Sequence, residues 1–358
     1  MNSARSFSAA YVEARTRFLD AALAAGAELA SHAHPEAGPS GEPLSTDVAW
    51  FGARDAQRVL VTISGTHGVE GYCGSGAQLD WLLRREHEHV PEGTAVLMIH
   101  AINPYGFAWN RRVTHENVDL NRNWIDFDGP LPHNLAYDEL ADAVTPREWH
   151  AEAQARSTRR ILDYARQHGP AAMQQAVSGG QYRHPEGIFY GGNAPTWSRR
   201  TQAEIFRTML GQATHVAIID YHTGLGPWGF AEQIVPDRAQ LQRASAWYGG
   251  AVTSPSGGTS TSADIAGDGL SAAAALLPHA QVTGMALEVG TVPVQQVLLA
   301  LRADAWLHAH GQLGTPESVQ IKQAMRDAFY GDADDWKGMV AGQSLLACRQ
   351  ALMGLQGT

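Results

Sequence analysis

Four runs of apolar and β-branched residues predict the central strands of this protein. They occupy residues 59–63, 94–101, 214–221 and 281–289. Continuous apolar runs of this length are typical of strands that are buried on both faces of a sheet. Segments with the apolar spacing of helices alternate with these runs, and the clearest cover residues 71–85, 198–210 and 293–310. The alternation predicts an α/β fold with a largely parallel sheet and helices on both faces.

The N-terminal part of the chain adds elements before this core. Residues 7–30 carry apolar side chains at helical spacing, which predicts a helix. Residues 31–42 are polar and rich in Pro and Gly, so we predict a loop there, and residues 44–51 predict an edge strand.

No internal repeat or long linker divides the chain. We therefore predict a single domain over residues 1–358, with a motif-bearing core at about 45–310 and two further helices in a tail at 315–358. A segment rich in Gly, Ser and Thr covers residues 253–269, shortly before the last apolar run. Because long loops in compact domains are often functional, this segment is a candidate lid.

Residues that can bind metal follow two of the predicted strands. His67 and Glu70 come directly after the run at 59–63, and His222 comes after the run at 214–221. The carboxyl ends of parallel strands meet at one edge of a sheet, where open α/β folds bind ligands. Two histidines and one carboxylate form a catalytic zinc set that leaves a fourth position for water. We predict that these three side chains bind Zn²⁺.

Glu288 lies near the end of the last apolar run, between apolar neighbours. A buried glutamate is costly unless it is paired or used, so a buried structural salt bridge is one interpretation of this residue. The other is catalytic. Zinc lowers the pKa of its bound water to about 7, and a carboxylate outside the ligand set can take the water's proton and pass it to a leaving amine. We predict that Glu288 is this general base.

The segment NVDLNRNW, residues 117–124, offers a binding site for a carboxylate. The planar guanidinium of Arg122 suits a carboxylate, and Asn121 adds hydrogen-bond donors beside it. Arg111 and Arg112 lie upstream and supply positive charge that could stabilise an oxyanion. An exposed loop without such a role is the alternative interpretation.

Taken together, these residues resemble the motifs of the M14 zinc carboxypeptidase superfamily, and most closely those of its DUF2817 branch. The resemblance rests on four matches in order, namely His67 and Glu70 as the HxxE ligand pair, Asn121-Arg122 as the carboxylate clamp, His222 as the third ligand, and Glu288 as the general base. It implies a Zn²⁺ ion and a twisted, mixed, roughly eight-stranded sheet between helices. It also implies hydrolysis of an amide bond next to a free carboxylate.

Arg112 is our match for the superfamily's oxyanion-stabilising arginine, with Arg111 as the alternative. Digestive-type members carry a mobile tyrosine upstream of the base, whereas the corresponding segment here, TSADIAGDG, has none. Tyr190 is a weak candidate to cover the site, and a core aromatic is the other interpretation of it. The layout also resembles the aspartoacylase and succinylglutamate desuccinylase branch, which removes acyl groups from amino acids. Peptide and N-acyl amino acid substrates therefore both stay open.

The composition limits the other function classes. The net charge of −10 argues against a nucleic-acid partner, because a phosphate backbone needs clustered Lys and Arg. No apolar run is long enough for a transmembrane helix, and the N-terminus lacks the apolar centre of a signal peptide. Cys73 and Cys348 are too few for a disulfide framework and fit a reducing compartment.

We expect a cytoplasmic zinc hydrolase acting on a peptide or small molecule with a free carboxylate. A metal-retaining binding protein without turnover is the rival hypothesis, and the sequence leaves the oligomeric state open.

Overall fold

One mixed sheet of seven strands organises the computed structural model, which describes residues 2–357. The strands are β1 (Glu28–Ala37), β2 (Pro43–Phe51), β3 (Arg58–Ile63), β4 (Thr94–His100), β5 (His215–Thr223), β6 (Ala231–Ile234) and β7 (Gln281–Val289). Their order across the sheet is β1-β2-β4-β3-β5-β7-β6. The central strands β4, β3, β5 and β7 are parallel to one another, while β1, β2 and β6 join by antiparallel pairing.

Helices cover both faces of this sheet. They are α1 (Tyr11–Ala24), α2 (Gly71–Leu83), α3 (Pro104–Ala108), α4 (Leu135–Val144), α5 (Ala151–His168), α6 (Pro170–Ser178), α7 (Trp197–Met209), α8 (Leu241–Tyr248), α9 (Gly269–Leu276), α10 (Val294–Ala309), α11 (Pro316–Phe329) and α12 (Asp334–Gln356). Alternate residues of β3 enter different cores. Leu60 belongs to the cluster that contains Phe18 of α1, whereas Val59 belongs to the cluster that contains Phe206 of α7. Both faces of the central strands are therefore buried, as their continuous apolar runs require.

The structure confirms the predicted fold class, a single-domain α/β fold with a mixed, largely parallel sheet between helices, and the sheet has seven strands. All four predicted central strands are present, and the two predicted tail helices are α11 and α12. Residues 1 and 358, the outer bounds of the predicted domain, lie outside the described residues. Among the helices of residues 2–357, none combines the length and apolar character needed to span a membrane.

Three sequence predictions at the sheet edges were wrong. The helix predicted over residues 7–30 ends at Ala24, and much of the predicted loop at 31–42 is strand β1. Most side chains of β1 are exposed or half-buried, so it carries no apolar run. The predicted edge strand at 44–51 is β2, which pairs on both sides and leaves the edge to β1. The short strand β6 was missed altogether.

Candidate metal centre and active site

His67 and Glu70, the first two candidate ligands, lie at the carboxyl edge of the sheet because tight turns follow β3. β3 ends at Ile63, and Gly65 follows with φ of +71°, a left-handed conformation that favours glycine. Gly68 packs so closely on Gly106 that an added Cβ would lie 2.1 Å from its carbonyl carbon. A side chain at this position would push away the segment that carries His67 and Glu70. The glycines therefore allow both ligands to lie at the sheet edge.

The other two candidate residues lie on neighbouring strands. His222 is inside β5, and it pairs in register with Glu288 on the parallel strand β7. Paired residues on adjacent strands project to the same face of the sheet. The pairing therefore brings these two side chains to one side of the sheet, next to the end of β3.

Three of the predicted residues converge on one point. The Nδ1 atom of His67 lies 3.0 Å from Glu70 Oε1 and 3.1 Å from the Nδ1 atom of His222. The same His222 atom lies 2.9 Å from Glu70 Oε2. All three residues are buried, and one ligand atom from each falls within 4.8 Å of the others. Two imidazole nitrogens and a carboxylate form the donor set of a catalytic zinc site, so these side chains fit such an ion.

A carboxylate holds the far nitrogen of each histidine. Asp119 Oδ1 lies 3.2 Å from Nε2 of His67, and Asp220 Oδ2 lies 2.9 Å from Nε2 of His222. Carboxylates in this position orient a metal-binding imidazole and raise its basicity. Sequence reasoning missed both aspartates, although Asp119 lies within the NVDLNRNW motif and Asp220 stands two residues before His222.

The histidines also control the ionisation of Glu70. Burial alone would raise the pKa of Glu70, but the charge of His67 and the hydrogen bond from His222 outweigh it and hold the pKa below its ordinary value. Burial alone would lower the pKa of His222. Interactions with Asp220 and Glu70 outweigh burial and hold this pKa well above its usual range. The cluster therefore keeps Glu70 as an anion that can bind a cation.

Glu288 lies beside this cluster, within electrostatic reach of Glu70, His222 and Arg112. Its side chain is buried, and its Oε1 accepts a hydrogen bond of 3.0 Å from the backbone N–H of Leu225. Within residues 2–357, no Lys, Arg or His forms an ion pair with it, which counts against the structural salt bridge. Burial and the negative charge of Glu70 raise the pKa of Glu288 to about 8. Carboxyls perturbed in this way by desolvation and a like charge are typical of proton-transfer sites.

The two adjacent arginines point to different partners. Arg112 donates from Nη1 to Glu70 Oε1 at 3.0 Å and from Nε to Asp119 Oδ2 at 3.1 Å. Arg111 donates instead from Nε to Asp304 Oδ2 at 2.9 Å. The structure therefore brings Arg112 to the candidate metal cluster and Arg111 to a separate ion pair.

The predicted carboxylate clamp is only partly turned toward the cluster. Asn121 Nδ2 lies 3.4 Å from His222 Nε2, the nitrogen that faces Asp220 and not the other candidate ligands, so this side chain contacts the far side of His222. Arg122 is buried, not part of an exposed loop, and its guanidinium donates to the backbone carbonyls of Asn121 and Ser178. Its Nη1 lies 4.0 Å from Asp119 Oδ1, the carboxylate oxygen that contacts His67.

The loop predicted as a lid is attached at several points. The carboxylate of Glu232 on β6 accepts hydrogen bonds from the hydroxyls of Thr253 and Thr261. The far end of the loop reaches the clamp, because the N–H of Gly269 donates to Asn121 Oδ1 at 3.2 Å. Tyr190 is buried, as expected for a core aromatic. The lid itself stays a prediction.

These features define a class of protein: an α/β protein with a buried cluster of two histidines and one glutamate at the carboxyl edge of its sheet, beside a carboxylate that forms no ion pair among the described residues. The chain belongs to the DUF2817 family, whose model is described as a protein of unknown function and matches residues 7–343. A search of curated protein sequences found no match.

Several solved structures resemble the chain remotely. Bovine thrombin-activatable fibrinolysis inhibitor, in complex with tick carboxypeptidase inhibitor, is 10% identical with a TM-score of 0.49, and the match covers 98% of each chain. Carboxypeptidase A from Helicoverpa armigera is 10% identical with a TM-score of 0.45, over 89% of this chain and 73% of that chain. A putative succinylglutamate desuccinylase/aspartoacylase family protein from Shewanella amazonensis is 17% identical with a TM-score of 0.37, over 79% and 73%. Similarity at this level does not assign an activity.

Proposed function

We propose that the protein is a zinc-dependent hydrolase that cleaves an amide bond adjacent to a free carboxylate. His67, Glu70 and His222 would hold the metal. The single observation that carries the proposal is the convergence of these three ligands beside Glu288, a buried carboxylate in register with His222 on the adjacent strand. A closed structural zinc site has four protein ligands and no need for such a neighbour.

The side chains divide the reaction between them. A bound zinc ion would supply a Lewis acid that polarises the scissile carbonyl and lowers the pKa of water. Glu288 would accept a proton from the attacking water and donate it to the amide nitrogen as the C–N bond breaks. Arg112 would stabilise negative charge on the carbonyl oxygen, because its guanidinium already lies beside Glu70. Asp119 and Asp220 would keep the two imidazoles in the orientation that binds metal.

Asn121 and Arg122 would bind the substrate carboxylate. For Arg122 this requires its guanidinium to exchange the backbone carbonyls of Asn121 and Ser178 for the carboxylate oxygens. The exchange is favourable, because hydrogen bonds between charged partners are stronger than those to neutral carbonyls.

The order of the motifs along the chain favours a carboxypeptidase, with an N-acyl amino acid deacylase as the alternative. We also propose a cytoplasmic location, with which two free, buried cysteines agree.

The deciding experiment is a hydrolysis panel of C-terminal peptides and N-acyl amino acids, run with zinc and after chelation. We expect activity that chelation removes and zinc restores. Glu288→Gln should keep its zinc but lower kcat by about 10²–10⁴-fold, the usual contribution of a general base. The matched control is Glu86→Gln, a buried glutamate paired with Arg349, which should keep full activity.

Zinc content tests the ligand set separately. His67→Ala should lose its metal by elemental analysis. Unchanged zinc in that variant would refute the ligand set, and an unchanged rate in Glu288→Gln would refute the base. Zinc binding without hydrolysis of any substrate would favour the metal-retaining binding protein.

A further inference from the structure

Phe189 has a backbone conformation that is unusual for its residue type. Its φ is +56°, in the left-handed region that a bulky aromatic residue rarely adopts. Such a conformation is energetically costly and persists only where the surroundings enforce it. Conformations of this kind cluster at functional sites, so the neighbours of Phe189 are informative.

The surroundings of Phe189 hold its backbone firmly in place. Its carbonyl accepts a hydrogen bond of 3.1 Å from the N–H of Gln181. On one side, the carbonyl of Ile188 accepts from the hydroxyl of Tyr137 at 2.9 Å. On the other side, the carbonyl of Tyr190 accepts from the N–H of Asp119 at 2.8 Å. The residue after Phe189 is therefore hydrogen-bonded to Asp119, which in turn contacts the predicted metal ligand His67.

The ring of Phe189 contacts both arginines of the proposed mechanism. The guanidinium carbon of Arg112 lies 5.4 Å from the ring centroid, and that of Arg122 lies 5.5 Å from it. Both distances are within the range of cation–π attraction. The side chain is buried, at 8% exposure, so water screens these contacts poorly. One aromatic ring thus contacts both guanidiniums, and the carboxylate of Asp119 lies 3.1 Å from Arg112 Nε and 4.0 Å from Arg122 Nη1.

We propose that Phe189 is a positioning residue that fixes the separation between the oxyanion contact, Arg112, and the carboxylate clamp, Arg122. This inference rests on the proposed function. The substrate must present its scissile carbonyl and its free carboxylate at the spacing of the two guanidiniums, and Phe189 sets that spacing. The ring itself touches no reacting atom. Its effect should therefore appear as discrimination between substrates with and without a carboxylate.

The test compares Phe189→Leu, which keeps apolar volume but loses the π face, with Phe189→Tyr, which keeps the face. The probes are an N-acyl amino acid and the corresponding C-terminal carboxamide. In Phe189→Leu we expect the preference for the free acid, measured as the ratio of kcat/KM values, to fall about tenfold, in line with the strength of buried cation–π contacts. Zinc content should stay unchanged, and Phe189→Tyr should keep most of the preference.

The matched control is Phe127→Leu, which removes an aromatic ring 5.5 Å from Arg199. It should leave the preference for the free acid unaltered. A purely packing role for Phe189 predicts that Phe189→Leu lowers the unfolding midpoint but leaves the preference within twofold of the parent. That result would overturn the proposal.

A second readout does not depend on turnover. Ring currents shift the side-chain Nε–H resonances of arginines near an aromatic ring, so the resonances of Arg112 and Arg122 should move in Phe189→Leu. If they stay in place, the proposed contact is absent and the inference fails. If the parent protein hydrolyses nothing while the resonances move, the proposed function fails and the arrangement of the two arginines stands.

Discussion

Two buried charge clusters begin at adjacent residues and differ in how their charges are balanced. Arg111 enters a cluster around Asp304, whose carboxylate also lies 2.5 Å from Lys322 Nζ. Arg112 enters the candidate metal cluster around Glu70. The first joins α10 and α11 to the segment that carries both arginines, while the second lies at the carboxyl edge of the sheet.

The ionisation of the carboxyls separates the two clusters. Burial alone would raise the pKa of Asp304, but Lys322 and Arg111 outweigh it and hold the pKa below its ordinary value. Burial in turn lowers the pKa of Lys322 to about 8. Beside the candidate metal cluster, burial and the charge of Glu70 raise the pKa of Glu288 to about 8. The carboxylate of Asp304 lies between two cations and joins helices. The carboxyl of Glu288 forms no ion pair among the described residues, and its raised pKa is typical of proton-transfer groups.

The largest effect on stability should come from breaking the Asp304 cluster. Asp304→Asn leaves Arg111 and Lys322 buried without their anion, so we expect a loss of about 3–5 kcal/mol in the free energy of unfolding by urea. Because the folded pKa of Asp304 is depressed, its contribution is present above the ordinary value of 3.8 and is lost as the pH falls through the folded pKa. The difference from the parent should therefore shrink in acid.

The control for that measurement is Glu204→Gln, which breaks an exposed ion pair with Arg207. We expect no measurable change there, because exposed pairs contribute little. Equal stability of Asp304→Asn and the parent at neutral pH would contradict a structural role for this cluster.

Substituting each of the two adjacent arginines by glutamine should separate the effect on catalysis from the effect on stability. Arg112→Gln should lower kcat by about 10²–10³-fold, the usual cost of losing an oxyanion donor. Arg111→Gln should instead lower the unfolding midpoint, because Asp304 loses a partner, and should change kcat much less. Steady-state kinetics and urea unfolding of both variants measure the contrast. The reverse pattern would assign the oxyanion role to Arg111.

The smallest effect concerns the pH dependence of the metal-free protein. The folded pKa of Glu288 is raised from 4.5 to about 8, so its contribution to stability is full below 4.5 and is lost as the pH rises toward 8. Glu288→Gln cannot ionise, so its stability relative to the parent should rise progressively across this window and be greatest at the alkaline end. Urea unfolding after chelation, repeated at several pH values, measures the gain. A difference that is constant with pH would mean that Glu288 does not titrate there.

The central strands and β2 were predictable as strands, whereas the edge strands β1 and β6 were not. The central parallel strands are buried on both faces, so each appears in the sequence as a continuous apolar run. β1 exposes most of its side chains, and β6 has only four residues. Each is held in the sheet by pairing with one neighbour, β1 with β2 and β6 with β7, and not by an apolar run of its own.

The sequence predicted the side chains of the candidate site better than their surroundings. His67, Glu70 and His222 carry a recognisable ligand pattern, and they meet in the fold. Nothing in composition decides which of two adjacent arginines faces the cluster, because neighbouring loop residues take different directions. The left-handed backbone of Phe189 was also not predictable, since tertiary hydrogen bonds enforce it against the residue's own preference.

The register between β5 and β7 has a consequence for how this protein can diverge. His222 faces Glu288 only because every residue before them in the two strands is matched one to one. A single-residue insertion within β7, upstream of Glu288, would turn its carboxylate to the opposite face of the sheet. Insertions in the connection between residues 235 and 268 leave that match intact. Homologues should therefore tolerate length changes in this connection and keep both strands free of gaps.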